Sequence, residues 1–255
     1  MILAIDIGNT HIVIGCFDQE KIRFVERMAT DKKKSELEYA ISFKSVLEIY
    51  GIQSHEVKGG IISSVVPPIT NVVRDAAEKI IHGEVHIVGP GLKTGLNILI
   101  DNPGQLGSDQ VVDAVAALNE YPVPLMVIDM GTATTISVIN EKKQYMGGMI
   151  LPGIGISLNA LAERTSQLPH ITLEAPKRLI GKNTIECMKS GIVHGNAACM
   201  DGMIQRIEED LGQKVTVIAT GGLAKVIVPH CKRKIILDDD LLLKGLQIIY
   251  KKNKE

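Results

Sequence analysis

The sequence predicts an α/β protein built from one unit used twice. Three observations predict it. The stretch LAIDIGNTHIVIGCF at 3–17 is repeated in pattern by MVIDMGTATTISVIN at 126–140, and a displacement of 123 residues sets Ile5 on Ile128, Asp6 on Asp129 and Gly8 on Gly131. Each stretch is followed by a third apolar segment and then by helical and extended patterns in alternation. The composition, 45% hydrophobic and 22% charged, is that of a folded chain that buries a core.

In order, residues 1–7, 11–17 and 21–28 read as strands rich in Ile, Val and Phe, with DIGNT and DQEK as turns. Residues 33–50 read as a helix, because Leu37, Ala40, Ile41, Phe43, Val46, Leu47 and Tyr50 keep a period near 3.6. GGIISSVVP reads as a buried strand stopped by Pro67, residues 69–82 as a helix, and EVHIV as a strand. The second half repeats the order, with strands at 125–129, 132–139 and 144–151. A short helix follows LPGIG, and a long one spans about 184–211. KVTVIA then reads as a strand, with a helix from about 222, the strand KIILDD and a last helix from about 240. The seam is placed near 118–124, giving units 1–118 and 119–255, and the tail KKNKE reads as a solvated end. In the long helix Gly191, Gly195, Ala198 and Gly202 form a stripe of small residues. Each glycine costs about 1 kcal/mol there, so the stripe serves a close approach, either within the chain or between two copies.

Several function classes are excluded by composition. With 28 basic and 29 acidic residues the net charge is −1, and three Phe, five Tyr and no Trp give few stacking platforms. Neither feature suits a nucleic-acid binder. No apolar run reaches the 18 residues of a membrane span, and Met1 leads into a strand without a basic leader. A cytoplasmic protein with no membrane partner is expected. Cys16, Cys187, Cys199 and Cys231 lack metal-site spacing and read as reduced thiols.

The repeated Asp-x-Gly demands more than a turn. Gly and Asn provide positive φ in a hairpin, but a carboxylate ending an apolar strand needs a partner. A turn of Gly, Asn and Thr offers amides and hydroxyls to phosphate oxygens without bulk, and the Asp offers a ligand for Mg²⁺ held against them. A third piece, VTVIATGGLAK, ends a strand at Thr220-Gly221-Gly222 and opens a helix, a place for close approach by a ring or phosphate. In NPGQLGSDQVVDAVAAL, Ser108 and Asp109 open a helix; alone they read as a cap and a first-turn acid, with Asp113 one turn on as a rival carboxylate.

The ordered set DIGNT, SSVVPP, VGPGLKTGLNI, DMGTATT, YMGGMILPGI, GKNTIECMKSGIVHG and ATGGLA resembles the actin-like ATPase and sugar kinase superfamily, and more narrowly the type III pantothenate kinase family. The resemblance implies duplicated ribonuclease H-like α/β domains with a nucleotide cleft between them. It implies ATP-dependent phosphorylation of pantothenate to 4′-phosphopantothenate, the first step of coenzyme A biosynthesis, by a homodimer whose active site is completed near the subunit interface. Asp6, Gly8, Asn9, Thr10 and His11 would meet the ATP phosphates, with Asp6 near Mg²⁺; Thr132, Gly221 and Gly222 would also meet ATP. Asp109 would accept the proton, Gly107, Ser108, Asp109, Gln110 and Thr184 would contact pantothenate, and Asp129 would bind a monovalent cation, K⁺ or NH₄⁺.

Two positions depart from the family pattern. Gln110 stands where the family has Arg after the base, and Ile100 where it usually has Tyr. Gln keeps an amide but loses the charge, and a lost charge-assisted contact costs about 1.5–3 kcal/mol. These departures leave an alternative, a nucleotide-binding accessory or regulatory paralogue on the same fold.

Overall fold

Three consecutive strands open each half of the chain, and in the computed structural model, which describes residues 1–81 and 83–254, both sets form antiparallel meanders. In the first, β1 (Ile2–Ile7), β2 (His11–Asp18) and β3 (Lys21–Ala29) are extended by β4 (Gly60–Ser64) and β5 (Val85–Ile87), which run parallel to β1, in the order β3-β2-β1-β4-β5. In the second, β7 (Leu125–Met130), β8 (Ala133–Ile139) and β9 (Gln144–Pro152) are extended by the parallel strands β10 (Thr216–Thr220) and β11 (Ile236–Leu237). A two-residue strand, β6 (Asn97–Ile98), adds to the far edge beside β9. Apart from β6 the two sheets share one topology, which establishes the duplicated α/β architecture.

The chain divides into two compact units that are not contiguous in sequence. Residues 1–96, 102–116 and 241 onward form the first; 97–101 and 117–240 form the second.

Alternation along β1 supplies both cores of the first unit. Leu3, Ile5 and Ile7 face the cluster that includes Tyr39, Phe43 and Leu47 of α1 (Glu36–Ile49) and Val73, Ala76 and Ala77 of α2 (Pro67–Ile80). Ala4 faces the opposite cluster, with Val112 and Val115 of α3 (Ser108–Glu120) and Leu243, Leu246 and Ile249 of α7 (Leu241–Lys254). In the second unit Met126, Ile128 and Met130 pack against Ile154 and Leu158 of α4 (Ile154–Glu163) and the Met188, Ile192, Met200 and Ile204 face of α5 (Thr184–Leu211). α6 (Ala224–Ile227) contributes Ala224 and Ile227 to the same core.

Where boundaries move, the cause is local. α1 begins at Glu36 because Ser35 caps it: Glu38 takes the Ser35 amide at 2.8 Å and Ser35 Oγ accepts from the Glu38 amide. Pro67 opens α2 instead of only stopping β4, since a proline at the first helical position gives up no hydrogen bond. The helix expected from about 222 is a single turn, passing into a 3₁₀ turn that contains Pro229. α5 holds its expected span, capped by Asn183 and ended by Gly212 at φ +66°.

The tail is largely exposed, in line with the sequence reading, but it is anchored. It is helical through Lys254, and Asn253 pairs with the main chain of Lys93, accepting from its amide and donating to its carbonyl at 2.9 Å each. Lys252 adds a bond to the Thr94 carbonyl at 3.1 Å. The small stripe of α5 is open: a Cβ at Gly191, Gly195 or Gly202 would meet nothing within 4 Å among the described residues. Packing within the chain therefore does not explain it. Among the described residues no helix is long and apolar enough to cross a membrane.

Gly245 shows the opposite case. A Cβ there would run into the Val112 carbonyl and lie 2.7 Å from Val112 Cγ1, so α7 sits on α3 only because residue 245 has no side chain. Gly245→Ala should lower stability by about 1–3 kcal/mol despite its better helix propensity, read as a shifted midpoint in urea unfolding. A variant as stable as the parent would refute this packing.

Candidate active site

In the first unit the site begins with Asp6 near the end of β1. Its register partners are Val13 on β2 and Ser63 on β4, so the three side chains share one face of the sheet. Ala4, two residues earlier, shares that face and packs against α3 and α7. The turn after Asp6 is closed by the Gly8 amide donating to the His11 carbonyl at 3.0 Å. A Cβ at Gly8 would sit 3.0 Å from the same oxygen, which is why glycine stands there. Thr30 braces the turn from outside, its hydroxyl donating to the Gly8 carbonyl at 2.6 Å and its amide to the Thr10 carbonyl at 3.0 Å. Asn9, Thr10 and His11 are left exposed at the tip.

Asp109 enters from the first turn of α3, on the sheet face that carries Asp6. Its Oδ1 accepts from the Gln110 amide at 2.8 Å, and the carboxylate lies over Gly107, where a Cβ would displace it. Burial pushes the Asp109 carboxyl above the usual carboxylate range, and the bonds from the amides of Gln110 and of Asp109 itself moderate the rise. Asp113, one turn further, is only 3% exposed and belongs to the helix interior face, whereas Asp109 is half-buried and reachable. Ser108 connects the start of α3 to the end of β4. Its hydroxyl donates to the Ser64 carbonyl at 2.9 Å, accepts from the Ser64 amide at 2.9 Å, and lies 3.1 Å from Ser63 Oγ.

The second unit repeats the carboxylate. Asp129 has Thr135 and Thr220 as register partners, so a hydroxyl side chain stands on either side of it. Gly221, at φ +91°, folds back over it: a Cβ there would strike Asp129 Oδ1 and lie 2.6 Å from the Met130 amide nitrogen. A Cβ at Gly131 would be 3.7 Å from both carboxylate oxygens. Gly153, ahead of α4, packs on the Thr132 carbonyl with no room for a side chain. Thr132 and Gly222 are exposed beside this point. Thr134 alternates to the core face, 2% exposed, its hydroxyl without a protein partner among the described residues. Thr184 lies elsewhere in the unit. It opens α5 and lines an apolar groove with Leu161, Leu168, Met188 and Ile192.

The donors gathered here are carboxylates, hydroxyls and carbonyls, a set for hard cations and phosphate rather than zinc. Among the described residues no three His, Cys, Asp or Glu side chains come together as a metal cage. Sequence reasoning missed the Ser63–Ser64–Ser108 web, the Thr30 brace and the Asn253 clamp. SSVVPP was visible as a motif, but only the fold brings it to GSD.

Comparison with known proteins gives the family. A model of the type III pantothenate kinase family matches residues 2–206. Two curated type III pantothenate kinases are similar over 253 residues: that of Halalkalibacterium halodurans at 47% identity, covering 99% of this chain and 100% of the relative, and that of Bacillus cytotoxicus at 45%, covering 99% and 97%. Among solved structures, a protein described as a 2-dehydro-3-deoxygalactonokinase from Sinorhizobium meliloti superposes with TM-score 0.60 at 12% identity, covering 99% of this chain and 96% of that one. The (R)-2-hydroxyglutaryl-CoA dehydratase component A of Acidaminococcus fermentans superposes with TM-score 0.59 at 16% identity, covering 100% and 99%. The structural likenesses establish the fold alone; the sequence matches, taken with the two carboxylate turns, establish that the chain belongs to the type III pantothenate kinase family.

Proposed function

We propose that this chain transfers the γ-phosphoryl group of ATP to the hydroxyl of pantothenate, giving 4′-phosphopantothenate and ADP, with Asp109 as the group that receives the proton. The observation that carries the reading is a half-buried, reachable Asp109 on the sheet face of Asp6, in a chain that matches pantothenate kinases from end to end. Phosphoryl transfer asks little covalent chemistry of the protein, so positioning and charge neutralisation dominate. The turn of Gly8, Asn9, Thr10 and His11 meets the phosphates, offering the Thr10 hydroxyl and the amides beyond Gly8, whose own amide closes the turn on the His11 carbonyl. Asp6 holds Mg²⁺, which supplies charge neutralisation on the phosphate oxygens when bound. Thr132, Gly221 and Gly222 meet ATP on the second unit, and Asp129 holds K⁺ or NH₄⁺ among oxygen donors. Gly107, Asp109, Gln110 and Thr184 contact pantothenate, with Ser108 meeting it through its main chain only. The open small stripe of α5 supports a homodimer, and coenzyme A synthesis supports a cytoplasmic setting.

The accessory-protein reading rests on Ile100 and Gln110 alone. Full-length similarity to pantothenate kinases weighs against it.

Asp109→Asn should lower kcat about 10²–10⁴-fold in a coupled ADP-release assay while the fold is kept; near-parental turnover would remove Asp109 from the mechanism. Because the Asp109 carboxyl is raised, the ionised base is lost as pH falls through that raised value. The acid limb of kcat/KM should therefore lie above the range of an ordinary exposed carboxylate, and a limb within that range would contradict the assignment. The double change Ile100→Tyr and Gln110→Arg should lower the KM for pantothenate by about one to two decades, with kcat little changed. An unaltered KM would place residues 100 and 110 outside the acceptor pocket. Replacing K⁺ by Na⁺ should depress the parent's turnover, and Asp129→Ala should erase that difference between salts; persisting K⁺ dependence in the variant would move the cation elsewhere.

A further inference from the structure

We propose that Ser108 is a positioning residue that fixes Asp109 against the strand carrying Asp6, and that its hydroxyl is not a ligand of the acceptor. This rests on the reading of Asp109 as the proton acceptor. A serine hydroxyl has one proton to give and two lone pairs to accept with. The Ser108 hydroxyl donates to the Ser64 carbonyl at 2.9 Å, accepts from the Ser64 amide at 2.9 Å and lies 3.1 Å from Ser63 Oγ, a contact in which either oxygen can donate. Three protein partners thus already surround the hydroxyl.

The anchor points are rigid. Ser63 is fully buried and is the register partner of Asp6, so the chain of contacts runs from the Asp6 strand through Ser63 to Ser108 and its neighbour Asp109. Ser64 is held in turn, its hydroxyl 2.7 Å from Thr70 Oγ1 and accepting from the Val66 amide at 3.2 Å, which fastens the end of β4 to the start of α2. The Val111 amide donates to the Gly107 carbonyl at 3.1 Å, so the first turn of α3 moves as one piece with Ser108. A misplacement of the base by about 1 Å is enough to lower a rate about 10²-fold.

The test is steady-state kinetics of Ser108→Ala, the double variant Ser63→Ala with Ser108→Ala, and Asp109→Asn, each checked for folding by thermal unfolding. Ser108→Ala orphans the buried Ser63 hydroxyl and the Ser64 amide; the double variant removes the first of these and stands in where the single variant unfolds. The expected result is a kcat about 10- to 100-fold lower, with KM for ATP and pantothenate within about twofold of the parent and the acid limb of the pH profile moved toward that of an exposed carboxylate. A parental kcat, or a raised pantothenate KM at unchanged kcat, would overturn the proposal, the latter by making Ser108 a ligand. Turnover retained in Asp109→Asn overturns the base assignment, whereas an inactive Asp109→Asn beside a parental Ser108→Ala overturns the positioning role alone.

Discussion

A carboxylate near the end of a strand that is hydrogen-bonded on both sides is the constraint around which each unit is arranged. β1 lies between β2 and β4, and β7 between β8 and β10, so Asp6 and Asp129 stand on central strands, each half-buried. A charge in that setting needs polar neighbours or a cation. In both units the register partner on the parallel strand is a buried hydroxyl residue, Ser63 beside Asp6 and Thr220 beside Asp129. The turn after each Asp is then freed of bulk by Gly8 or Gly131.

From this shared plan the two units diverge one residue later. After Thr220 comes Gly221, whose main chain closes on the Asp129 carboxylate with no space for a Cβ. After Ser63 comes Ser64, whose main chain bonds to Ser108 and so brings α3 to the sheet. One strand end serves close backbone packing on a carboxylate; the other anchors the helix that carries a second carboxylate. A duplicated scaffold thereby gains two unlike strand ends, one closed over its own carboxylate and one tied to a helix.

Much of the scaffold was legible because it derives from periodicity and from the 123-residue displacement between Asp6 and Asp129. α5 could be bounded from sequence because Asn183 and Gly212 are strong local signals at its ends. β6 could not, since two residues carry no period and the strand exists only by pairing with β9. The membership of α7 in the first unit was equally hidden: it depends on Gly245 meeting Val112, a contact between residues far apart in the chain. Of the site, the Asp-x-Gly turns stood out because a carboxylate in an apolar strand is chemically out of place. The serine web did not, because serines before a proline and before a helix have ordinary local explanations.

The same distinction bears on Gln110. The bond that holds Asp109 comes from the Gln110 main-chain amide, not from its side chain. Exchange of a guanidinium for a carboxamide at this position therefore leaves the support of the base untouched, since any residue but proline supplies that amide. Ser108 and Gly107, which set the rest of the Asp109 environment, likewise do not depend on the side chain at position 110. Ile100 belongs to a different unit altogether, where its Cγ2 lies 3.7 Å from the position a Cβ on Gly147 would take. Both departures from the family pattern thus leave the hydrogen bonds around Asp109 intact, and under the proposed assignment only the grip on the acceptor changes. A weaker grip with an intact base raises the concentration of acceptor needed without lowering the rate at saturation, which is the signature of uniform binding lost. The two sequence differences that argued for a surrendered activity are, on this geometry, compatible with a working kinase.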